Sequence, residues 1–189
     1  MTILNRISYH ILTDHSRQIG GDIYQSHWTS DLGKLIISAT DQGICFCSFE
    51  SENDAENILG LFPNHQIRNA ENEWTKSAKS FLENGCHSGP QLSLHVWGTN
   101  FQHLVWKATI EIGSGEILSY HALAIRIGNP HSARAVGHAL AQNPIAIFIP
   151  CHRVWSSANQ NVGYKWGKWR KNELVLKERS AIPNSRLLF

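Results

Sequence analysis

The spacing of apolar positions changes near Gly98. Before it, short apolar blocks of strand length dominate. Leu35-Ile36-Ile37-Ser38-Ala39, the turn Asp41-Gln42-Gly43 and the run from Ile44 to Phe49 predict a β-hairpin. In its second strand Ile44, Phe46 and Ser48 fall on one side, and Cys45, Cys47 and Phe49 on the other. Ser51 and Asp54 can open a helix that ends near Leu61-Phe62-Pro63, and a second helix is expected over residues 73–83, closed by Asn84-Gly85. Residues 92–97 predict another strand. After Gly98 the spacing becomes helical. Thr99 and Gln102 form a capping box for a helix whose buried stripe is Phe101, Leu104, Val105, Ala108 and Ile112, with Trp106 as core.

Two shorter helices follow. Ser119 can cap residues 120–127, with Leu123, Ala124 and Ile127 on the apolar face, and Gly128-Asn129-Pro130 ends that helix. The next, residues 132–142, is rich in alanine and glycine and carries one long cation, Arg134. Two helices joined this closely have the geometry of a helix-turn-helix, which also occurs as a plain structural hairpin. Residues 145–149 then read as a buried strand ending in Pro150-Cys151-His152-Arg153-Val154. Proline fixes its own φ and restrains the residue before it, so the thiol is aimed by the backbone. Beside an imidazole and a guanidinium its thiolate is favoured, and the thiolate is the nucleophile.

The net charge of +2 on 189 residues conceals a division. Residues 1–90 carry 6 Lys+Arg against 11 Asp+Glu, whereas residues 91–189 carry 11 against 4. The basic half holds the helix pair and Cys151, the arrangement of a polyanion-binding part joined to an acidic support. The four cysteines, Cys45, Cys47, Cys86 and Cys151, do not form a disulfide framework, and neither a signal peptide nor a membrane-length apolar run is present. A reduced, soluble, cytoplasmic protein is expected. Cys45-x-Cys47 places two thiols on one strand face and Cys86-His87 adds two further donors, but a structural zinc site needs four ligands, so no metal is expected. No phosphate loop or dinucleotide fingerprint appears, and no cofactor is expected.

Six motifs stand in order: residues 115–120, Ile127-Gly128-Asn129-Pro130, Ala133-Arg134-Ala135-Val136-Gly137, Asn143-Pro144, residues 149–154, and Gly163-Tyr164-Lys165-Trp166-Gly167. Together they closely resemble the methylated-DNA–protein-cysteine methyltransferases, the O6-alkylguanine-DNA alkyltransferases. The resemblance is strong over residues 99–178 and weaker over 28–97. It implies an α/β N-terminal domain, a small antiparallel sheet with helices, followed by a mainly helical, winged-helix-like domain containing the helix-turn-helix. The corresponding boundaries are residues 1–25 as a mobile extension, 26–97, 98–182 and a tail at 183–189.

The resemblance also implies roles. Cys151 accepts the alkyl group, Glu178 orients His152, Tyr120 bonds the extruded guanine, and Asn143 braces the loops around the thiol. Neighbouring side chains on an extended segment point apart, so a water is expected between His152 and Cys151. Val154 is carried over as a backbone contact to the base, Tyr164 and Lys165 as pocket wall. Arg134 enters the space that the base leaves, with Ser132, Ala133, Ala135, Gly137 and Arg153 also at the DNA. Some relatives bind zinc through a cysteine before the hairpin turn, where this chain has Thr40.

The expected partner is double-stranded DNA containing O6-alkylguanine, with O4-alkylthymine as a further lesion, met by a monomer that reacts once and flips the base. A relative that only binds damage would lack the thiol. A sensing transcription regulator would need a further domain, and a Cys-His hydrolase would need an oxyanion site and a base in direct reach.

Overall fold

The computed structural model describes residues 7–11, 20–84, 90–157 and 163–181. Six strands, β1 (Ile7–Ile11), β2 (Gly21–Ser30), β3 (Gly33–Ala39), β4 (Ile44–Phe49), β5 (His65–Arg68) and β6 (Leu92–Val96), form one sheet in the order β1-β6-β4-β3-β2-β5. The expected hairpin is present: β3 and β4 are antiparallel, with Leu35 opposite Phe49 and Ile37 opposite Cys47. The sheet as a whole is mixed, not antiparallel. β5 reaches β2 and β6 reaches β4 after intervening helices, and such crossovers deliver parallel strands.

The expected mobile extension is corrected where the structure describes it. Ile7 to Ile11 run parallel to Leu92 to Val96, and residues 21–25 belong to β2. A parallel edge pairing across so many residues leaves no local turn signal to read.

Two of the first three helices begin on side-chain caps, whereas the first has Asn53 at its N-cap with no side-chain cap bond. In α1 (Asp54–Leu61) the carboxylate of Asp54 accepts from Ser51 N at 2.6 Å and Ser51 Oγ at 2.9 Å. Asn72 caps α2 (Glu73–Glu83) in a box with Thr75, and Thr99 and Gln102 box the start of α3 (Asn100–Ile110). The expected stripe of α3 is rotated. The buried arc includes Val105, Thr109 and Trp106, whose indole donates to Ala139 O at 2.9 Å, and Leu104 is left 46% exposed.

The remaining helices are α4 (Tyr120–Arg126), α5 (Ala133–Ala141) and α6 (Lys168–Ser180), and two short strands, β7 (Leu118–Ser119) and β8 (Val154–Trp155), pair in parallel. Ser119 Oγ accepts from Ala122 N at 3.0 Å and caps α4. Gly128, at φ +74, makes the left-handed turn into α5 that a side chain would resist.

The apolar run at 145–149 is not a strand. A single parallel bridge joins Ile145 to Cys47, after which Phe148 N donates to Ala146 O and Ile149 N to Ile145 O. Ile147 adopts φ 69, a conformation that costs a β-branched residue roughly 1–2 kcal/mol. Cys151–Arg153 then form one 3-10 turn, so the thiol is aimed by a tight coil instead of a strand end.

One buried cluster passes from the sheet (Leu35, Ile37, Leu94) through α2 (Phe81) to Val105, Val136, Phe148 and Leu174. A smaller one gathers Ile23, Cys45, Phe46, Ile58 and Phe62 under α1. Cys45 and Cys47 thus lie in different clusters, which corrects the expected shared face. The register shift at Ser38/Ala39 rotates the strand between them. Between the halves, Cys47 N donates to Pro144 O at 3.0 Å and Ala146 N to Cys47 O at 2.8 Å. Trp166 Nε1 donates to Ser48 Oγ at 2.9 Å, and Arg170 Nε to Leu32 O at 2.7 Å.

Candidate active site

Cys151 is 7% exposed and lines a cavity of about 370 Å3 with Tyr120, Gly137, Tyr164, Lys165 and Lys171. That volume is within the range of small-ligand sites, about 300–1,000 Å3. Asn143, fully buried, spends its amide on this corner. Its Nδ2 donates to Ile149 O at 2.9 Å and to Cys151 Sγ at 3.2 Å, while Oδ1 accepts from Ile145 N at 2.9 Å. One side chain thereby shapes the turn and offers a hydrogen bond that favours the thiolate. Burial pushes the Cys151 thiol up, and the Asn143 bond and the Lys171 charge act against that rise.

Behind the thiol, His152 Nε2 lies 2.8 Å from Glu178 Oε1. A carboxylate partner calls for a proton on Nε2, which leaves Nδ1 as the acceptor nitrogen. Nδ1 is buried and has no hydrogen-bond partner among the described residues. Burial lowers the imidazole's affinity for a second proton, although Glu178 opposes this. For Glu178 burial alone would raise the carboxyl, but the bonds from His152 and Arg153 prevail and hold it at about 2. Gly115 N also donates to Glu178 Oε2 at 2.9 Å.

Arg153 is not at the DNA-facing surface. It is 4% exposed, with Nη2 on Glu178 Oε1 at 2.7 Å, Nε on the same carboxylate and Nη1 on Ile112 O at 2.6 Å. A guanidinium desolvated in this way cannot reach a phosphate, so the expected DNA contact becomes a brace for Glu178.

Lys171 escaped the sequence reading. It is 1% exposed, and its Nζ donates to Val154 O at 2.7 Å and lies 5.4 Å from the Trp155 ring centroid. Burial depresses it to about 8, with Cys151 acting in the opposite sense. The signal was present: Lys171, Leu174, Val175 and Glu178 share one helical stripe, but the neighbouring Lys168 and Arg170 conceal which cation turns inward. Val154 is fully buried and is absent from the cavity lining, and Lys171 occupies one of its carbonyl's two lone pairs.

The lid of the cavity is the segment from Gly163 to Gly167. Gly167 takes φ +100 as the chain turns into α6. Tyr164 and Trp166 meet edge to face at 5.2 Å, and Lys165 places its ammonium 5.4 Å from the Trp166 centroid. The opposite wall is α5. Val136, Ala139 and Leu140 are buried, and Arg134 and His138, one turn apart, are exposed. Gly137 and Ala141 line the cavity next to that exposed stripe. Ala133 is half-buried, Ala135 is exposed, and Ser132 Oγ donates back to Asn129 O at 2.7 Å. Cys86 and His87 lie outside the described residues. Among the described residues no group of three or more His, Cys, Asp or Glu could hold a metal ion, and no helix is long and apolar enough to cross a membrane.

Residues 100–180 match the family described as 6-O-methylguanine DNA methyltransferase, DNA binding domain. A methylated-DNA–protein-cysteine methyltransferase of Haemophilus influenzae is 34% identical over 164 residues, 83% of this chain and 87% of that protein. One of Mycobacterium bovis is 46% identical over 98 residues, a stretch that covers 52% of this chain but only 59% of the relative. The crystal structure of Mycobacterium tuberculosis OGT in complex with DNA superposes with a TM-score of 0.69 at 30% identity, covering 84% of this chain and 93% of that one. Similarity of this extent, spread over both halves, means that the chain belongs to the methylated-DNA–protein-cysteine methyltransferase family.

Proposed function

We propose that this protein repairs alkylated double-stranded DNA by moving the alkyl group from O6 of guanine, and from O4 of thymine, onto Cys151. The observation that carries the reading is the Cys151 thiol in the wall of a nucleobase-sized cavity bordered by the helix that bears Arg134. A stacked base cannot enter such a cavity, so the target must turn out of the duplex at a cost of a few kcal/mol. Arg134 fills the gap it leaves, and the small Ala133, Ala135 and Gly137 let α5 approach the minor groove.

Once the base is seated, the thiol proton passes through a water to Nδ1 of His152, whose Nε2–H is anchored on Glu178. Asn143 and the Lys171 ammonium stabilise the thiolate that results. The sulfur attacks the alkyl carbon, the C–O6 bond breaks, and its electron pair goes to the purine. Tyr120 lines the cavity, and its hydroxyl is the donor for the base. The product thioether is chemically stable, so each molecule acts once.

Intact-mass analysis after incubation with an O6-methylguanine duplex tests the reading. The expected result is a gain of one methylene on the peptide holding Cys151, with saturation at one equivalent. An unmodified Cys151, or turnover beyond one equivalent, overturns it.

A further inference from the structure

Two cations line the cavity with Cys151, and no acid does among the described residues. The Lys171 ammonium is tied to the carbonyl of Val154. Lys165 has no carboxylate partner among the described ion pairs, and its Nζ rests 5.4 Å from the Trp166 ring centroid, which limits how far it can swing. Two negative groups act on Lys165 electrostatically, the Cys151 thiolate first and then Asp54, which lies outside the lining with both oxygens engaged by Ser51. The buried hydroxyl of Tyr164 has no partner among the described residues. The polar side chains of the lining are two lysines, two tyrosines and the Cys151 thiol, with no carboxylate among them. A methyl or ethyl lesion brings no charge to Lys165, whose one counter-charge in the lining is the Cys151 thiolate that the reaction consumes.

Building on the alkyl-transfer reading, we infer that the cavity favours O6 substituents that carry a negative charge, of which carboxymethyl is the simplest, and that Lys165 sets this preference. The carboxylate of the lesion would sit beside the Lys165 ammonium. The chemistry is unchanged. The Cys151 thiolate forms a bond to the substituent's methylene carbon, the C–O6 bond breaks with its electrons passing to the purine, and the purine takes up a proton from solvent at N1. The products are S-carboxymethylcysteine and unmodified guanine, and the carboxylate keeps its charge throughout. Lys165 is exposed at the cavity mouth, so its effect is screened by solvent and is greatest at low salt.

The test compares single-turnover rates on duplexes containing O6-carboxymethylguanine and O6-isobutylguanine, a neutral substituent of similar shape, with O6-methylguanine as reference. Lys165→Met keeps the stem and removes the charge. The carboxymethyl-to-isobutyl rate ratio should fall about fivefold in Lys165→Met, as expected for an exposed ion pair. It should recover in Lys165→Arg and shrink in the wild type as salt is added. Equal slowing of both substrates in Lys165→Met would mark Lys165 as a phosphate contact and overturn the proposal, as would an unchanged ratio. Methyl transfer by the wild type with an unaltered ratio in Lys165→Met overturns this inference alone. Absence of methyl transfer by the wild type overturns the alkyl-transfer reading as well.

Discussion

His152 and Glu178, 26 residues apart in sequence, are joined by a 2.8 Å bond between Nε2 and Oε1, and the same carboxylate neutralises the buried Arg153. One acid thus fixes both the tautomer of the base and the charge of its neighbour. Glu178→Gln should slow alkyl transfer at least a hundredfold, the lower end of what a positioned base contributes. It should also lower unfolding free energy by about 2 kcal/mol, because a charged hydrogen-bond partner is lost. Single-turnover kinetics and urea denaturation measure the two effects separately. A variant with an unaltered rate would remove Glu178 from the relay.

The same pair predicts acid sensitivity. Both groups have folded-state pKa values below their unfolded ones, since Glu178 is held at about 2 and burial lowers His152. The unfolded chain therefore binds more protons, and stability is lost as pH falls. Loss should begin below about pH 6.5 through His152 and continue from about 4.3 towards 2 through Glu178. Below about pH 4.3, urea midpoints should drop more steeply in the wild type than in Glu178→Gln.

Lys171 predicts the alkaline limb. Its ammonium supports the Cys151 thiolate, and burial lowers its pKa to about 8. The transfer rate should climb as the thiol ionises, and the climb should level off as Lys171 loses its proton near pH 8. In Lys171→Met the rate should be about tenfold lower near neutrality, a loss worth roughly 1.4 kcal/mol, and the levelling near pH 8 should vanish. Levelling that persists in Lys171→Met would belong to another group.

Cys151→Ser should abolish transfer while leaving duplex affinity within about twofold, because a hydroxyl is far less acidic than a thiol and α5 is untouched. Methyl transfer to Cys45 or Cys47, both buried, would contradict the assignment of the acceptor.

Arg134 is exposed at the edge of the cavity wall. If its side chain replaces the extruded base, Arg134→Ala should slow reaction with paired O6-methylguanine by tenfold or more. A mispaired target should slow less, because little unpairing energy remains to be offset. Equal factors on the two substrates would make Arg134 a backbone contact.

Much of this architecture was legible where the signal is local. The Thr99–Gln102 box, the Ser119 cap and the turn at Gly128 are contained within a few residues, and all three form as the sequence implies. Signals that depend on distant partners were not legible. β1 exists because β6 lies beside it, and Ile147 adopts its left-handed backbone because Ile145 and Ala146 are pinned to β4. Charge alone did not reveal burial. Arg153 and Lys171 look like surface cations in sequence, and only the packing of α6 against the 3-10 turn makes one a brace for Glu178 and the other a companion of the thiol.

The bonds between Cys47 and the Pro144–Ala146 backbone also have a consequence in time. A chain leaves the ribosome from its N-terminus, at about 5–20 residues per second. The strand that receives the acceptor turn is therefore translated well before the turn itself. Glu178, the anchor of His152, emerges last of the groups around the thiol. On the proposed mechanism, an unfinished chain carries Cys151 without the carboxylate that anchors His152, so the relay assembles only after Glu178 has emerged.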